Sequence, residues 1–282
     1  MIKNWMSLLK DDVPITKVVM PGSHNAGSYG MMASGCCQDQ NLYEQAISGV
    51  RHFCIRLDTV RKKIVMAHGI SKGEAFETSL CDLKRALDEL DTEFFILDIR
   101  EYYPQKFGPI KLNYKADAKK VDELLEKYIS PSKYALTDFD DISKVTMGDI
   151  RKSGKKFLLY NYKAEYKHSV ACDYIYPWNK ETYSLSAEKF VKEIPKIFDT
   201  EHTDGIYWFQ TQQTPNPFTE IGMTSPRKLD ISLAPHYQKL LDSIRDNPSW
   251  LAQANVIGGD FMTTGKKCEA IINLNYDKGN MI

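Results

Sequence analysis

The chain has 282 residues, 43% hydrophobic and 26% charged, a globular balance that excludes disordered, collagen-like and disulfide-framework proteins. Lys plus Arg and Asp plus Glu each number 37, so the formal charge is zero and generic electrostatic binding of nucleic acid is excluded too. No apolar run approaches the roughly 18 residues of a membrane span.

Residues 17–20 form a short apolar run ending at Pro21-Gly22, a strand leading into a loop. Residues 42–48 read as a helix stopped by Gly49, and residues 52–60 as a strand. A shorter strand, 64–67, is closed by His68-Gly69. Leu80, Leu83, Leu87 and Leu90 recur at helical spacing within 77–90, and 93–99 is a buried strand. A helix over 116–128 carries Val121, Leu124 and Leu125 on one face, and 156–161 is a strand. Residues 187–198 are amphipathic, with Pro195 ending or kinking the helix. Then follow a strand (205–211), a helix (235–245), a strand (255–261) and a closing helix (267–274). There is no internal repeat, low-complexity tract or obvious linker, so residues 1–282 are expected to form one domain. Strands alternating with helices argue for α/β with a parallel sheet. At this length the expectation is a closed or nearly closed barrel.

Barrel chemistry sits at the carboxyl ends of the strands. Pro21-Gly22-Ser23-His24-Asn25 follows the first strand, and Arg56 and Asp58 lie in the second. His68-Gly69 follows the third, and Asp98 and Arg100 end the fourth. Asn161 and Lys163 follow the fifth, Gln210 and Gln212 the sixth, and Asp260 ends the last. Such a set suits phosphate ester chemistry. One imidazole takes a proton from an attacking hydroxyl and another gives one to the leaving oxygen. An arginine holds the phosphoryl oxygens, and a carboxylate orients one imidazole. The scheme needs no metal. Each residue also has a plainer reading. His24 fits a surface loop, His68 a strand-end cap, Arg56 a partner for Asp58, Asp260 a turn, and Asp98 with Arg100 a structural ion pair. Their joint placement at one barrel end favours the chemical reading. His52, His168, His202 and His236 are read as structural.

The six cysteines, Cys36, Cys37, Cys54, Cys81, Cys172 and Cys268, show no C-x-x-C spacing. A structural zinc site is therefore not expected, and free thiols in a reducing compartment are. The opening MIKNWMSLLKDD lacks the apolar core of a secretion signal. The expectation is a cytosolic protein, or a secreted one with its signal removed.

These blocks resemble a known family. VVMPGSHNAGSYG resembles the catalytic histidine loop of the X-domain of phosphatidylinositol-specific phospholipase C, GVRHFCIRLDTV its second strand, and VMAHGI the strand and loop of its second histidine. EFFILDIREYY, KKFLLYNY, YIYPWNKETYS and NVIGGDFMT resemble later blocks in the same order, and NWMSLLKDDVPITKV resembles the segment before the first strand. The resemblance to the bacterial, metal-independent type covers nearly the whole chain. It implies a distorted TIM-type (β/α) barrel and cleavage of phosphatidylinositol, or a related inositol lipid, to diacylglycerol and a 1,2-cyclic inositol phosphate. By the same resemblance His24 is the general base, Asp260 its orienting carboxylate, Arg56 the replacement for calcium, and His68 the general acid. Arg100 stands near the inositol hydroxyls, with Asp98, Asn161, Lys163, Tyr183 and Tyr207 as further candidates for substrate binding. No cofactor and no metal are implied, and no oligomer is specified, so a monomer is expected.

The sequence also departs from the family. Asn25 stands where bacterial members usually carry the aspartate that helps protonate the leaving group. Calcium-dependent relatives use asparagine there as a ligand, but Cys54 and Arg56 occupy the places of their acidic ligands. Asn161 falls where an inositol-binding arginine is often found. The implied partner is an inositol phospholipid at a membrane surface. Tyr29, Met31 and Met32, with Tyr102-Tyr103-Pro104 and Trp178, are placed near the expected mouth, either to insert shallowly into headgroups or to pack over the barrel. Two other readings stand beside this one: a headgroup-binding barrel with little turnover, and a metal-dependent glycerophosphodiesterase-like enzyme. The latter lacks a Glu-x-Asp ligand pair beside His24.

Overall fold

Residues 52–60 form one nine-residue strand, and its length sets the architecture. The computed structural model describes residues 2–101, 106–107, 109–111, 114–177, 185–214 and 224–282. In chain order its strands are β1 (Met20–Ser23), β2 (His52–Val60), β3 (Lys63–His68), β4 (Ser71–Ala75), β5 (Phe95–Glu101), the short pair β6 (Lys106–Phe107) and β7 (Ile110–Lys111), β8 (Phe157–Tyr160), β9 (Tyr174–Ile175), β10 (Ile206–Gln210) and β11 (Val256–Gly259). The helices are α1 (Leu42–Ile47), α2 (Phe76–Glu89), α3 (Ala118–Ile129), α4 (Pro131–Tyr134), α5 (Met147–Ser153), α6 (Ala187–Glu193), α7 (Pro226–Leu233), α8 (Tyr237–Arg245), α9 (Pro248–Gln253) and α10 (Lys267–Asp277).

Seven strands pair in parallel in the order β9-β10-β11-β1-β2-β5-β8. The ends of this row meet through side chains. Tyr160 of β8 stacks on Tyr174 of β9 with ring centroids 4.0 Å apart. Tyr174 Oη donates to Asp98 Oδ2 of β5 at 2.8 Å and lies 2.8 Å from His52 Nε2 of β2. Contacts reaching from β9 to β2 and β5 make the sheet a distorted barrel. Strand alternation sorts its residues into two apolar sets. Met20, Cys54, Ile96, Leu158, Trp208 and Val256 cluster inside with Trp5, Met6 and Leu9 of the N-terminal turn. Phe53, Ile55, Leu97, Leu159, Tyr207 and Ile257 cluster outside, against the helices.

Two expectations are corrected. The sheet is not wholly parallel, because the outer half of β2, from Leu57 to Val60, pairs antiparallel with β3, which pairs antiparallel with β4. The turn between β2 and β3 is made by Arg61 and Lys62, both with positive φ (47° and 66°), the backbone of a tight hairpin. The first strand starts at Met20 rather than at residue 17. The backbone before it is satisfied by buried amides instead of a ladder: Asn255 Nδ2 donates to the oxygens of Ile15 and Val18, and Asn275 pairs with both backbone groups of Val19. Pro195 ends α6, and the chain continues as a 3-10 turn over Ile194–Asp199.

Candidate active site

The ladder between β1 and β11 runs one residue past β1, with His24 N donating to Gly259 O at 3.0 Å. This sets the His24 and Asp260 side chains together, Nδ1 to Oδ1 at 2.8 Å. The other ring nitrogen, Nε2, lies 3.0 Å from the Asn25 amide nitrogen. An amide N–H donates, so Nε2 accepts and Nδ1 carries the proton, which it donates to Asp260. His24 is thus held in the tautomer of a base, with its lone pair on Nε2. Asn25 adopts φ 44°, a left-handed backbone that asparagine tolerates.

His68 reaches the mouth because β3 runs back along β2. Its Nδ1 donates to Gly35 O at 2.9 Å and lies 3.4 Å from Cys37 Sγ. The two histidine rings stand edge to face with centroids 5.9 Å apart. Burial, and then the His24 charge, lower the His68 pKa. Arg56, half-buried, is level with Arg100 in the β2–β5 register. Asp58 is buried and binds Lys72 and the backbone N–H groups of Thr59 and Tyr114.

Arg100 Nε donates to both Asp98 oxygens, at 2.7 and 2.8 Å, and its guanidinium lies 3.7 Å from the Tyr176 ring centroid. Burial opposes the Arg100 charge, but Asp98 outweighs it and raises the pKa. Asp98 is fully buried beneath Arg100, also holding Tyr174, so it supports the mouth from inside. Trp208 crosses the interior 6.4 Å from His24, centroid to centroid, and 4.9 Å from His52. Glycine at 258 makes room for it, since a Cβ there would stand 2.5 Å from Trp208 Nε1.

Other expected residues are not brought to the mouth. Asn161 is fully buried, its amide donating to Ile99 O and its oxygen accepting from Lys163 N and Glu165 N. Lys163 lies 3.9 Å from Glu165 within its own exposed loop. Tyr207 stacks on Phe198 outside the sheet, at 5.0 Å. Tyr183, Tyr102, Tyr103, Pro104 and Trp178 lie outside the described residues. Met31 is buried, whereas Met32 is 62% exposed, and Ile70, on the turn between β3 and β4, is 60% exposed.

Sequence reasoning missed Cys37, Gln38, Tyr176 and Trp208. Gln38 is buried and donates to His24 O (2.8 Å) and Gly259 O (3.0 Å), while Met262 N donates to its oxygen. Cys37 is fully buried, and burial, then the Asp260 charge, push its thiol pKa well above the ordinary range. The only local signal was the adjacent pair Cys36-Cys37. All six cysteines are unbridged.

No family model matches the sequence, and no curated protein matches it by sequence. Solved structures do. The chain superposes on phosphatidylinositol-specific phospholipase C from Listeria monocytogenes with a TM-score of 0.67 at 17% identity, over 97% of this chain and 98% of that one. It has the fold of the bacterial phosphatidylinositol-specific phospholipases C. A variant of the Staphylococcus aureus enzyme gives a TM-score of 0.67 at 19% identity, over 97% of this chain and 96% of that one. Another structure of that enzyme, described for modulation of its membrane binding, gives 0.68 at 17% identity, over 96% and 97%. The distorted TIM-type barrel expected from the sequence is therefore the observed fold.

Proposed function

We propose that this chain is a phospholipase C-type phosphodiesterase that cleaves phosphatidylinositol, or a related inositol lipid, by two-histidine acid–base catalysis. The single observation that carries the reading is the His24–Asp260 pair with its Nε2 lone pair turned from the carboxylate and His68 opposite.

In this scheme the inositol 2-hydroxyl displaces Asn25 Nδ2 from His24 Nε2 and gives its proton there. The resulting oxygen attacks phosphorus, and the bond from phosphorus to the diacylglycerol oxygen breaks. His68, protonated, gives its proton to that oxygen. The products are diacylglycerol and a 1,2-cyclic inositol phosphate. Asp260 stabilises the imidazolium on His24, and Arg56 holds the phosphoryl oxygens as negative charge grows. Burial and the His24 charge disfavour a charged His68 in the free protein. A phosphodiester anion between the rings reverses that balance, so the acid is charged when substrate is present. Tyr176, stacked on Arg100 and 40% exposed, offers a flat face for the inositol ring. Met32 and Ile70 supply the apolar contact with the lipid surface. No helix among the described residues is long and apolar enough to cross a membrane.

The test is phosphorus NMR of phosphatidylinositol vesicles incubated with the protein and a calcium chelator. A cyclic inositol phosphate signal that disappears in His24→Ala is the expected result. Turnover only when calcium is restored would overturn the metal-free scheme, and no turnover with either would point to a headgroup-binding barrel.

A further inference from the structure

One group at the mouth has no part in the two-histidine scheme, the Cys37 thiol. Donor atoms of His24, Cys37 and Asp260 all lie within 4.8 Å of one another. Cys37 Sγ is also 3.4 Å from His68 Nδ1. In a tetrahedral zinc site, with arms of about 2.0–2.3 Å, ligand atoms stand roughly 3.3–3.7 Å apart. The Cys37–His68 separation already falls there, and shifts of about 1 Å bring the His24, Cys37 and Asp260 donors to that spacing, while His68, which stands outside that group of three, approaches from the Cys37 side. Asn25 belongs to the same cluster, and its buried Oδ1 has no hydrogen-bond partner among the described residues.

The donor set decides the class of ion. Two imidazoles, a thiol and a carboxylate suit zinc, whereas calcium and magnesium take oxygen donors. The backbone around the donors is pinned. Cys37 N donates to Ser28 Oγ at 2.9 Å, Phe261 N to Cys37 O at 2.7 Å, and Lys267 Nζ to Asp260 O at 2.9 Å.

We propose that His24, Cys37 and Asp260, with His68 as fourth donor, form a binding site for zinc or a cation of its class, and that its occupation stops phosphodiester cleavage. The thiol loses its proton to solvent as the cation binds. His68 Nδ1 exchanges its hydrogen bond to Gly35 O for the cation. A cation held this way engages His24 and Asp260, so the base loses its lone pair or its orienting carboxylate. It is an inhibitor rather than a cofactor, and this second half of the proposal rests on the phosphodiesterase reading above.

Binding is read without any lipid assay. The reduced protein is titrated with cobalt chloride, a spectroscopic stand-in for zinc. The expected result is a thiolate-to-cobalt charge-transfer band that zinc chloride displaces. Cys37→Ser loses the band. A variant carrying Cys36→Ser, Cys81→Ser and Cys172→Ser keeps it, which holds the assignment even where Cys37→Ser does not fold. No band in the parent protein, a band retained in folded Cys37→Ser, or its loss from the triple variant overturns the site. In the vesicle assay zinc chloride inhibits the parent, a chelator restores it, and Cys37→Ser needs at least about tenfold more zinc for half-inhibition. Cobalt binding together with cleavage indifferent to zinc overturns the inhibitory role. A protein that cleaves no inositol lipid overturns the functional reading, while the cobalt spectrum still decides the site.

Discussion

Gln38 Nε2 donates to the backbone oxygen of His24 at 2.8 Å. The same amide reaches Gly259 O, and its oxygen accepts from Met262 N, so one side chain binds the loop after β1 to the loop after β11. His24 and Asp260, the proposed base and its carboxylate, sit on these two loops. Gln38→Ala leaves buried backbone groups unpaired, and a loss of about 1–3 kcal/mol in urea unfolding is expected. In the folded protein kcat falls more than KM changes, because the His24–Asp260 distance is no longer fixed. Unchanged kcat with reduced stability would confine Gln38 to a structural role.

Asp260→Asn keeps the shape of the pair and removes its charge. In the proposed scheme the imidazolium formed on His24 then lacks its stabilising partner. Cleavage of phosphatidylinositol is expected to fall roughly 10²–10⁴-fold, with the circular dichroism spectrum unaltered. Activity equal to the parent protein would mean that His24 works without Asp260.

His52 gives a pH signature in stability. Burial lowers its pKa from 6.5 to about 4, although Asp98 pulls the other way. The folded state thus refuses a proton that the unfolded chain accepts. The stabilisation is complete above about pH 6.5 and is lost as pH falls toward 4, by about 3 kcal/mol. Urea unfolding between these values shows the loss in the parent and a smaller one in His52→Gln. Parallel curves for the two proteins would assign the acid sensitivity to another group.

Met32 and Ile70 are exposed, Met32 three residues before Gly35, whose oxygen binds His68, and Ile70 two residues after His68. Replacing both by serine is expected to weaken sedimentation with phosphatidylinositol vesicles. Hydrolysis of soluble cyclic inositol phosphate, which needs no membrane, is expected to stay at the parent rate. Equal losses in both assays would place these residues in the reaction instead.

Local signals marked most elements because they are local in cause. Alternation marked β2, leucine spacing marked α2, and Pro21-Gly22 and His68-Gly69 marked where strands stop. Reading the strand ends then gave His24, Arg56, His68 and Asp260. The direction of β3 had no such signal. Its hairpin turns on Arg61 and Lys62, without the Asn-Gly or Asp-Gly that usually announces a turn with positive φ. His68 lies at the mouth only because β2 overhangs the barrel far enough for β3 to return.

What the sequence by itself determined was the alternation of most strands and helices and which polar residues stand at the strand ends; β4, β9, α5, α7 and α9 carried no local signal strong enough to be read. The tertiary structure decided which face of each strand is inside. Both faces of the barrel strands are buried, so both are apolar, and alternation cannot separate them. Asn161 and Tyr207 therefore looked like neighbours of the site, while Tyr160 and Trp208, one residue away in each strand, are the ones inside. Cys37 and Gln38 reach the mouth from a loop, through hydrogen bonds to residues more than two hundred positions along the chain. No local pattern encodes such a contact, because it exists only once β1 and β11 lie side by side.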